Sequence, residues 1–341
     1  MSAIDDLAAV REPYAVPEPD RLFDAAMAEC DDWHRKRNPA YVRLWAGPAR
    51  PVVPVGLFKR VALDTPTGAE GSWLRSTGTS GGSQTRVFFD RISLARIELA
   101  MLQMFLHARF FDLRPARFLL LAPDPSSGDH PGYATAFDKF TACAPVAERV
   151  YACAADGTLD PARAWAALER WAADEATVFV FGLSVHLERL VLAARRPVPQ
   201  RGVVKALTGG GWKGLAQSLS RGEMVERFRE LVPAPSCEVR DLFGMTEHAL
   251  HYLSCAAGRF HVPRYARVVV VGPDGEPAPS GRPGLIRLLN PFFASIPSHD
   301  LLTEDVGALH EGCACGLAGP SLEYHHRVTT PAGTCAAEAA A

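Results

Sequence analysis

The 341-residue chain lacks an excess of charge of either sign: 36 lysines and arginines face 38 aspartates and glutamates, for a net charge of −2. Without a basic surplus to neutralise phosphates, neither nucleic acid nor an anionic membrane is an expected partner. Long hydrophobic runs are missing as well. The longest, such as 118–122 and 268–271, fall far short of a bilayer-spanning segment, so no membrane span is expected. The first residues, MSAIDDLAAVREPYAVPEPD, carry acids and prolines where a secretory signal has a basic start and an apolar run. These absences place the chain in the cytoplasm, where its eight cysteines read as thiols or metal ligands rather than disulfides. A G-K-[ST] step at the required spacing is also absent, which argues against a Walker-type phosphate loop and a P-loop kinase.

What is present is a globular composition, 48% hydrophobic and 22% charged, on a chain long enough for two or three lobes. A helical pattern over 19–37 and the Pro-rich GPARPVVPVG make residues 1–60 an N-terminal helical segment. From 72 onward short apolar runs alternate with longer helical patterns, the signature of an α/β sheet. Strands are expected at 117–122, 149–154, 177–181 and 203–207, and helices at 94–111, 161–173, 184–194 and 213–231. Near 265 the pattern changes: VVVVGPDGEPAPSGRPGLIRLLNP predicts two strands joined by a turn-rich hairpin. The organisation expected is an α/β region over 61–265, a β-rich lobe over 266–328 and a disordered Ala-rich tail over 329–341.

Several segments carry chemistry. In STGTSGGS, Gly78, Gly81 and Gly82 let the backbone approach a ligand, while Ser76, Thr77, Thr79, Ser80 and Ser83 supply donors for phosphate oxygens. Gly209, Gly210 and Gly211 follow a predicted strand and would let a flat ring lie against its carboxyl end. In DLFGMTEH, Phe243 can stack on a purine, Gly244 follows it, Thr246 offers a hydroxyl and Glu247 a hard oxygen ligand for Mg²⁺. Asp305, in LTEDVG, can accept from both ribose hydroxyls, and Arg327, in HHRV, can bridge ribose and phosphate. Taken one at a time, the first three segments read equally well as flexible loops or turns, a lone Asp in a turn is usually a turn former, and a surface arginine is the far commoner reading of Arg327.

Taken together and in this order, they resemble the adenylate-forming superfamily of acyl- and aryl-CoA synthetases, luciferase and peptide-synthetase adenylation domains. Within it, PVGLFK, GGGWK and CACG are similar to the acyl-protein synthetase branch, known from the fatty-acid reductase complex of bacterial luminescence. A compact phenazine-pathway adenylating enzyme belongs to the same group. The resemblance covers residues 50–328 and implies an adenylate-forming N-terminal-domain fold: α/β subdomains and a small β-rich lobe, lacking most or all of the mobile C-terminal domain. It implies ATP and Mg²⁺ as cofactors and an AMP-forming ligase activity, in which a carboxylic acid becomes an acyl-adenylate with release of pyrophosphate. The acyl group then passes to a thiol-bearing acceptor or a partner reductase. The acid stays open between fatty and aromatic, with the phenazine-type likeness leaning towards an aryl or other specialised-metabolite acid.

Carried over by position, Ser76 to Ser83 would hold the β- and γ-phosphates, and Gly209 to Gly211 with Phe243 would frame adenine. Thr246 would meet the α-phosphate, Glu247 the Mg²⁺ and Asp305 the ribose. Arg327 would match the arginine at the hinge, with His326 in place of the usual glycine. The sequence departs from the pattern in two places. TED replaces TGD, and none of the fourteen residues after Arg327 is the lysine that contacts substrate in most members. Lys213 is then a candidate substitute. A second reading is a catalytically weak nucleotide- or acyl-adenylate-binding partner protein of a biosynthetic complex. His186 follows a predicted strand, near where the superfamily often uses an aromatic residue or histidine to orient the acid; a packed histidine is the alternative. Cys255 and His261 form C-x₅-H, and Cys313 and Cys315 form C-x-C, together a ligand set for structural zinc, comparable to that of some phenylacetate-CoA-ligase-like relatives. Free cysteines in a hairpin are the alternative. Cys335 is the one cysteine after Arg327 available to carry an acyl group.

Overall fold

The computed structural model describes residues 2–44, 50–75, 85–112, 114–127, 132–210 and 218–328. The chain divides into two compact units: Met1–Ala108 with Gly244–Ala341, and Arg109–Phe243.

The second unit is a parallel sheet with strand order Val146–Tyr151, Ala116–Leu121, Thr177–Leu183, Val204–Gly209 and Cys237–Met245, the last running on past the unit's end at Phe243. Parallel neighbours need crossovers, and helices Gly132–Phe140, Pro161–Trp171, Ser184–Leu192 and Arg221–Leu231 supply them. The central strand, TVFVFGL, is buried along its whole length, as expected for a strand covered on both faces. One face carries an aromatic cluster of Phe110, Phe111, Phe118, Phe179 and Phe181; the Phe118 and Phe179 rings stack at 5.0 Å. Helix starts are written locally. Asp160 caps Pro161–Trp171, with proline at the first turn, and Ser220 with Glu223 forms a capping box before Arg221–Leu231.

The first unit holds an antiparallel sheet in the order Phe260–His261, Ser321–Arg327, Asp300–His310, Pro283–Leu289 and Arg267–Val271. The short strand Val53–Pro54 joins it, parallel to Asp300–His310 at Leu301 and Leu302. The hairpin expected after 265 is present, with Val269 opposite Arg287. A second hairpin pairs Gly71–Arg75 with Arg86–Asp90, on either side of the Ser/Thr/Gly segment. The loop itself, 76–84, lies outside the described residues, as do Gly211, Lys213 and the tail with Cys335.

Helix Arg91–His107 begins and ends earlier than the apolar pattern suggested. Asp90 accepts from the backbone of Ile92 and Ser93, at 3.0 and 2.9 Å, and so starts the helix. Arg109 then adopts a left-handed φ of 52° and ends it before the pattern runs out. The strand expected at 149–154 sits at Val146–Tyr151, because its register is set by pairing with Ala116–Leu121 rather than by its own apolar content.

Candidate active site

The part of DLFGMTEH after Phe243, Gly244 to His248, belongs to the first unit. Strand Cys237–Met245 turns at Thr246 and Glu247 into strand His248–Leu253. Gly244 is required here: a Cβ would lie 2.6 Å from the His251 ring carbon Cδ2. The turn leaves Thr246 half-buried and Glu247 only 5% exposed. Among the described residues, no hydrogen bond or ion pair reaches the Glu247 carboxylate. A largely buried carboxylate with no hydrogen-bond partner among the described residues is a suitable oxygen ligand for a cation supplied from outside the chain.

Asp305 lies nearby in charge terms. It is 6% exposed, on Asp300–His310 and directly across from Arg327 on Ser321–Arg327. Its carboxyl is pushed above the usual range. Burial is the main cause, opposed by Arg327 and reinforced by the negative charges of Glu304 and Glu247. Arg327 Nε stands 3.5 Å from Asp305 Oδ1 and 3.9 Å from Glu304, with its own side chain 46% exposed. The backbone N–H of Asp305 donates to the Thr303 hydroxyl at 3.0 Å, fixing the TED turn from within. The structure therefore gathers Thr246, Glu247, Asp305 and Arg327 in one unit, although they span eighty residues of sequence. Glu304, the residue that replaces glycine in TED, adds a carboxylate that attracts Arg327.

In the second unit, Gly209 and Gly210 end strand Val204–Gly209, and Gly209 pairs with Leu242, next to Phe243. Gly210 has φ 66°, and a Cβ on Gly209 would come within 3.1 Å of the Leu242 carbonyl, so a bare backbone is presented at the strand's carboxyl end. Phe243 is 8% exposed.

Three residues that the sequence reading did not assign, Thr208, Asp241 and Arg221, form a hydrogen-bonded group next to Gly209. Thr208 donates to Asp241 Oδ1 at 3.1 Å, and Arg221 Nη1 donates to Oδ2 at 2.7 Å. Asp241 opens the DLFGMTEH octapeptide, which was the available signal. Arg221 had none, because it meets Asp241 only through the crossover.

His186 is buried in the first turn of Ser184–Leu192. Its Nδ1 is 2.8 Å from the Leu121 carbonyl and its ring is 6.0 Å from that of Tyr133. Facing a carbonyl, Nδ1 must carry the proton, and burial lowers the ring's pKa, so the side chain is neutral.

Cys255, His261, Cys313 and Cys315 converge, with one ligand atom from each within 4.8 Å of all the others. Cys255 Sγ is 3.6 Å from Cys313 Sγ, and Cys315 Sγ is 3.2 Å from His261 Nε2. Ligand atoms around a tetrahedral zinc with bonds of 2.0–2.3 Å stand roughly 3.3–3.8 Å apart, so the four residues fit the ion. Each cysteine-bearing segment is held by a tight turn. Gly258 donates to the Cys255 carbonyl, Gly316 to that of Cys313, and the Leu317 N–H points at Cys315 Sγ from 3.4 Å. Burial pushes the Cys313 thiol up, but hydrogen bonds from the Cys315 backbone and the Cys255 thiol outweigh it and leave the pKa below its ordinary value.

The fold is that of the adenylate-forming ligases. A 2-hydroxyisobutyryl-CoA ligase, solved in an open conformation with 2-HIB-AMP and CoA, superposes with a TM-score of 0.68 at 16% identity, over 94% of this chain and 79% of that one. A long-chain-fatty-acid-CoA ligase from Archaeoglobus fulgidus follows at TM-score 0.54 and 16% identity, over 75% of this chain and 51% of that one. ATP-bound MatB from Rhodopseudomonas palustris gives 0.51 at 17%, over 75% and 47%. Residues 48–340 match the acyl-protein synthetase family LuxE, and the chain belongs to it. It is therefore an AMP-forming ligase that activates an acid with ATP to an acyl-adenylate. No curated protein matches it by sequence. No helix among the described residues is long and apolar enough to cross a membrane.

Proposed function

We propose that Thr246, Glu247, Asp305 and Arg327 serve the phosphates and ribose of ATP, and that Gly209, Gly210 and Phe243 serve its adenine. Ser76 to Ser83, Gly211 and Lys213, outside the described residues, keep their assignments to phosphate, adenine and acid. A carboxylate oxygen of the acid attacks the α-phosphorus, the bond to the bridging oxygen breaks, and pyrophosphate leaves with its electron pair. No side-chain nucleophile is needed; the chain aligns the reactants and balances charge. Bound Mg²⁺, held by Glu247, would neutralise phosphate charge as it builds. The observation that carries this reading is the largely buried Glu247, without a hydrogen-bond partner among the described residues, close enough to a second buried carboxylate, Asp305, to raise its pKa.

The acid is an aryl or fatty acid, and the acyl group passes to a thiol-bearing protein or to a reductase. His186, neutral and with only Nδ1 engaged, is proposed to orient the acid. Cys255, His261, Cys313 and Cys315 are proposed to hold a structural zinc. None of the seven described cysteines forms a disulfide, which suits the reducing cytoplasm.

The test is acid-dependent ATP–pyrophosphate exchange across a panel of aromatic and fatty acids. Exchange confined to one class would name the substrate. Its absence with every acid, alongside retained ATP binding, would replace this reading with that of a nucleotide-binding partner protein.

Asp305 gives the site a pH dependence. Only its carboxylate form accepts two ribose hydroxyls, and its pKa is raised, so ATP affinity is expected to fall on acidification earlier than an exposed aspartate would dictate. Arg327 lowers that pKa, so Arg327→Ala should move the inflection of a Kd-against-pH curve upward. An inflection unmoved by the substitution would rule out Asp305 as the titrating group.

A further inference from the structure

Cys30 and His34 lie one turn apart on the same face of helix Arg21–Arg37, and His299 reaches them from the segment just before strand Asp300–His310. One ligand atom from each lies within 4.8 Å of the other two. All three residues are 1% exposed or less. The cluster is separate from Cys255, His261, Cys313 and Cys315 and plays no part in the adenylation site.

The hydrogen-bond network fixes where the lone pairs are. His34 Nε2 faces the Phe293 carbonyl at 2.9 Å and must donate, so its lone pair is on Nδ1, where the Thr65 hydroxyl donates at 2.8 Å. Tyr41 gives its proton to Asp31 Oδ1 at 2.6 Å, so its oxygen is an acceptor for His299 Nε2, 3.2 Å away. Asp31 Oδ1 is itself 3.5 Å from the same nitrogen. His299 Nε2 therefore holds the proton, and Nδ1 holds a lone pair that is buried and has no hydrogen-bond partner. The thiol of Cys30 has only a long contact, 3.6 Å, to the Phe293 carbonyl.

A buried acceptor without a donor is costly, and here it belongs to a neutral imidazole whose other nitrogen is held by a carboxylate–tyrosine pair. That is the arrangement that prepares a histidine to bind metal, the carboxylate fixing the tautomer from behind. We propose that Cys30, His34 and His299 form a second metal site, for a soft d¹⁰ cation: zinc or cuprous copper. Both ions favour one thiolate with imidazoles. Binding forms the Cys30 sulfur–metal bond and releases the thiol proton, while the Thr65 hydroxyl rotates off His34. A monovalent ion leaves the thiolate centre neutral; a divalent ion leaves one positive charge, with Asp31 behind His299 as its counter-charge.

The test is metal content by mass spectrometry of protein produced with zinc or copper supplement, which also separates the two ions. The variant Cys255→Ser, Cys313→Ser, Cys315→Ser removes the zinc site proposed above. It is expected to keep about one equivalent of metal. Adding Cys30→Ser or His299→Gln should reduce this to background, with the far-ultraviolet circular dichroism of the triple variant retained as the sign that the chain is folded. If the triple variant holds no metal of either kind, the second site does not exist, whatever the fate of the first. If the further variants do not fold, wild-type protein decides. About two equivalents support both sites. A single equivalent that disappears in the triple variant overturns this one.

Discussion

Replacing Glu247 with glutamine is expected to lower acid-dependent pyrophosphate exchange by about 10²–10³-fold, the usual cost of losing one preorganised electrostatic partner of a charged transition state. The same substitution should leave the melting temperature of the nucleotide-free protein unchanged or raise it. Glu247 is 5% exposed, and its charge pushes up the pKa of Asp305. Removing that charge relieves a desolvation cost and a like-charge contact while keeping the side chain's shape. The two readouts moving in opposite directions would mark a group retained for ligand binding at the expense of stability. Full exchange in the glutamine variant would eliminate Glu247 as a metal ligand. A large fall in melting temperature would instead make it a structural residue.

The second large effect concerns the four-ligand cluster. Cys255→Ser or Cys313→Ser is expected to remove zinc and to lower the melting temperature by at least about 5 °C, since each degree or two corresponds to several tenths of a kcal/mol in a domain of this size. The cost falls on a particular place. Cys255 and His261 lie at the two ends of one turn, Cys313 and Cys315 in the loop between Asp300–His310 and Ser321–Arg327, and Asp305 and Arg327 lie farther along those same two strands. Loss of zinc should therefore weaken ATP binding as well as stability. A serine variant that keeps its melting temperature and ATP affinity, with wild-type protein binding no zinc, would leave four free side chains in a hairpin.

The local chemistry of this chain was readable before its fold. Glycines at 209–211, the aromatic-Gly-x-Thr-Glu run and the C-x-C pair announce themselves because adjacent residues share one backbone geometry. The parallel strands were equally plain, since a strand buried on both faces, such as Thr177–Leu183, is a continuous apolar run. The limits of elements were less so. Arg91–His107 starts at a cap and stops at a left-handed residue, while its apolar pattern continues to Phe111.

What only the tertiary structure decided is who meets whom across distance. Residues 1–108 and 244–341 belong to one unit with another inserted between them, a grouping that no window of sequence contains. Thr246 and Glu247 share that unit with Asp305 and Arg327, which antiparallel pairing sets opposite each other. Arg221 finds Asp241 through a crossover, and His299 finds Cys30 and His34 from more than 250 residues away. Sequence determined the ligand types and the periodicity, because these follow from side-chain chemistry and local backbone angles. Burial, and with it the unpartnered state of Glu247 and the raised pKa of Asp305, arose only when distant segments packed and excluded water.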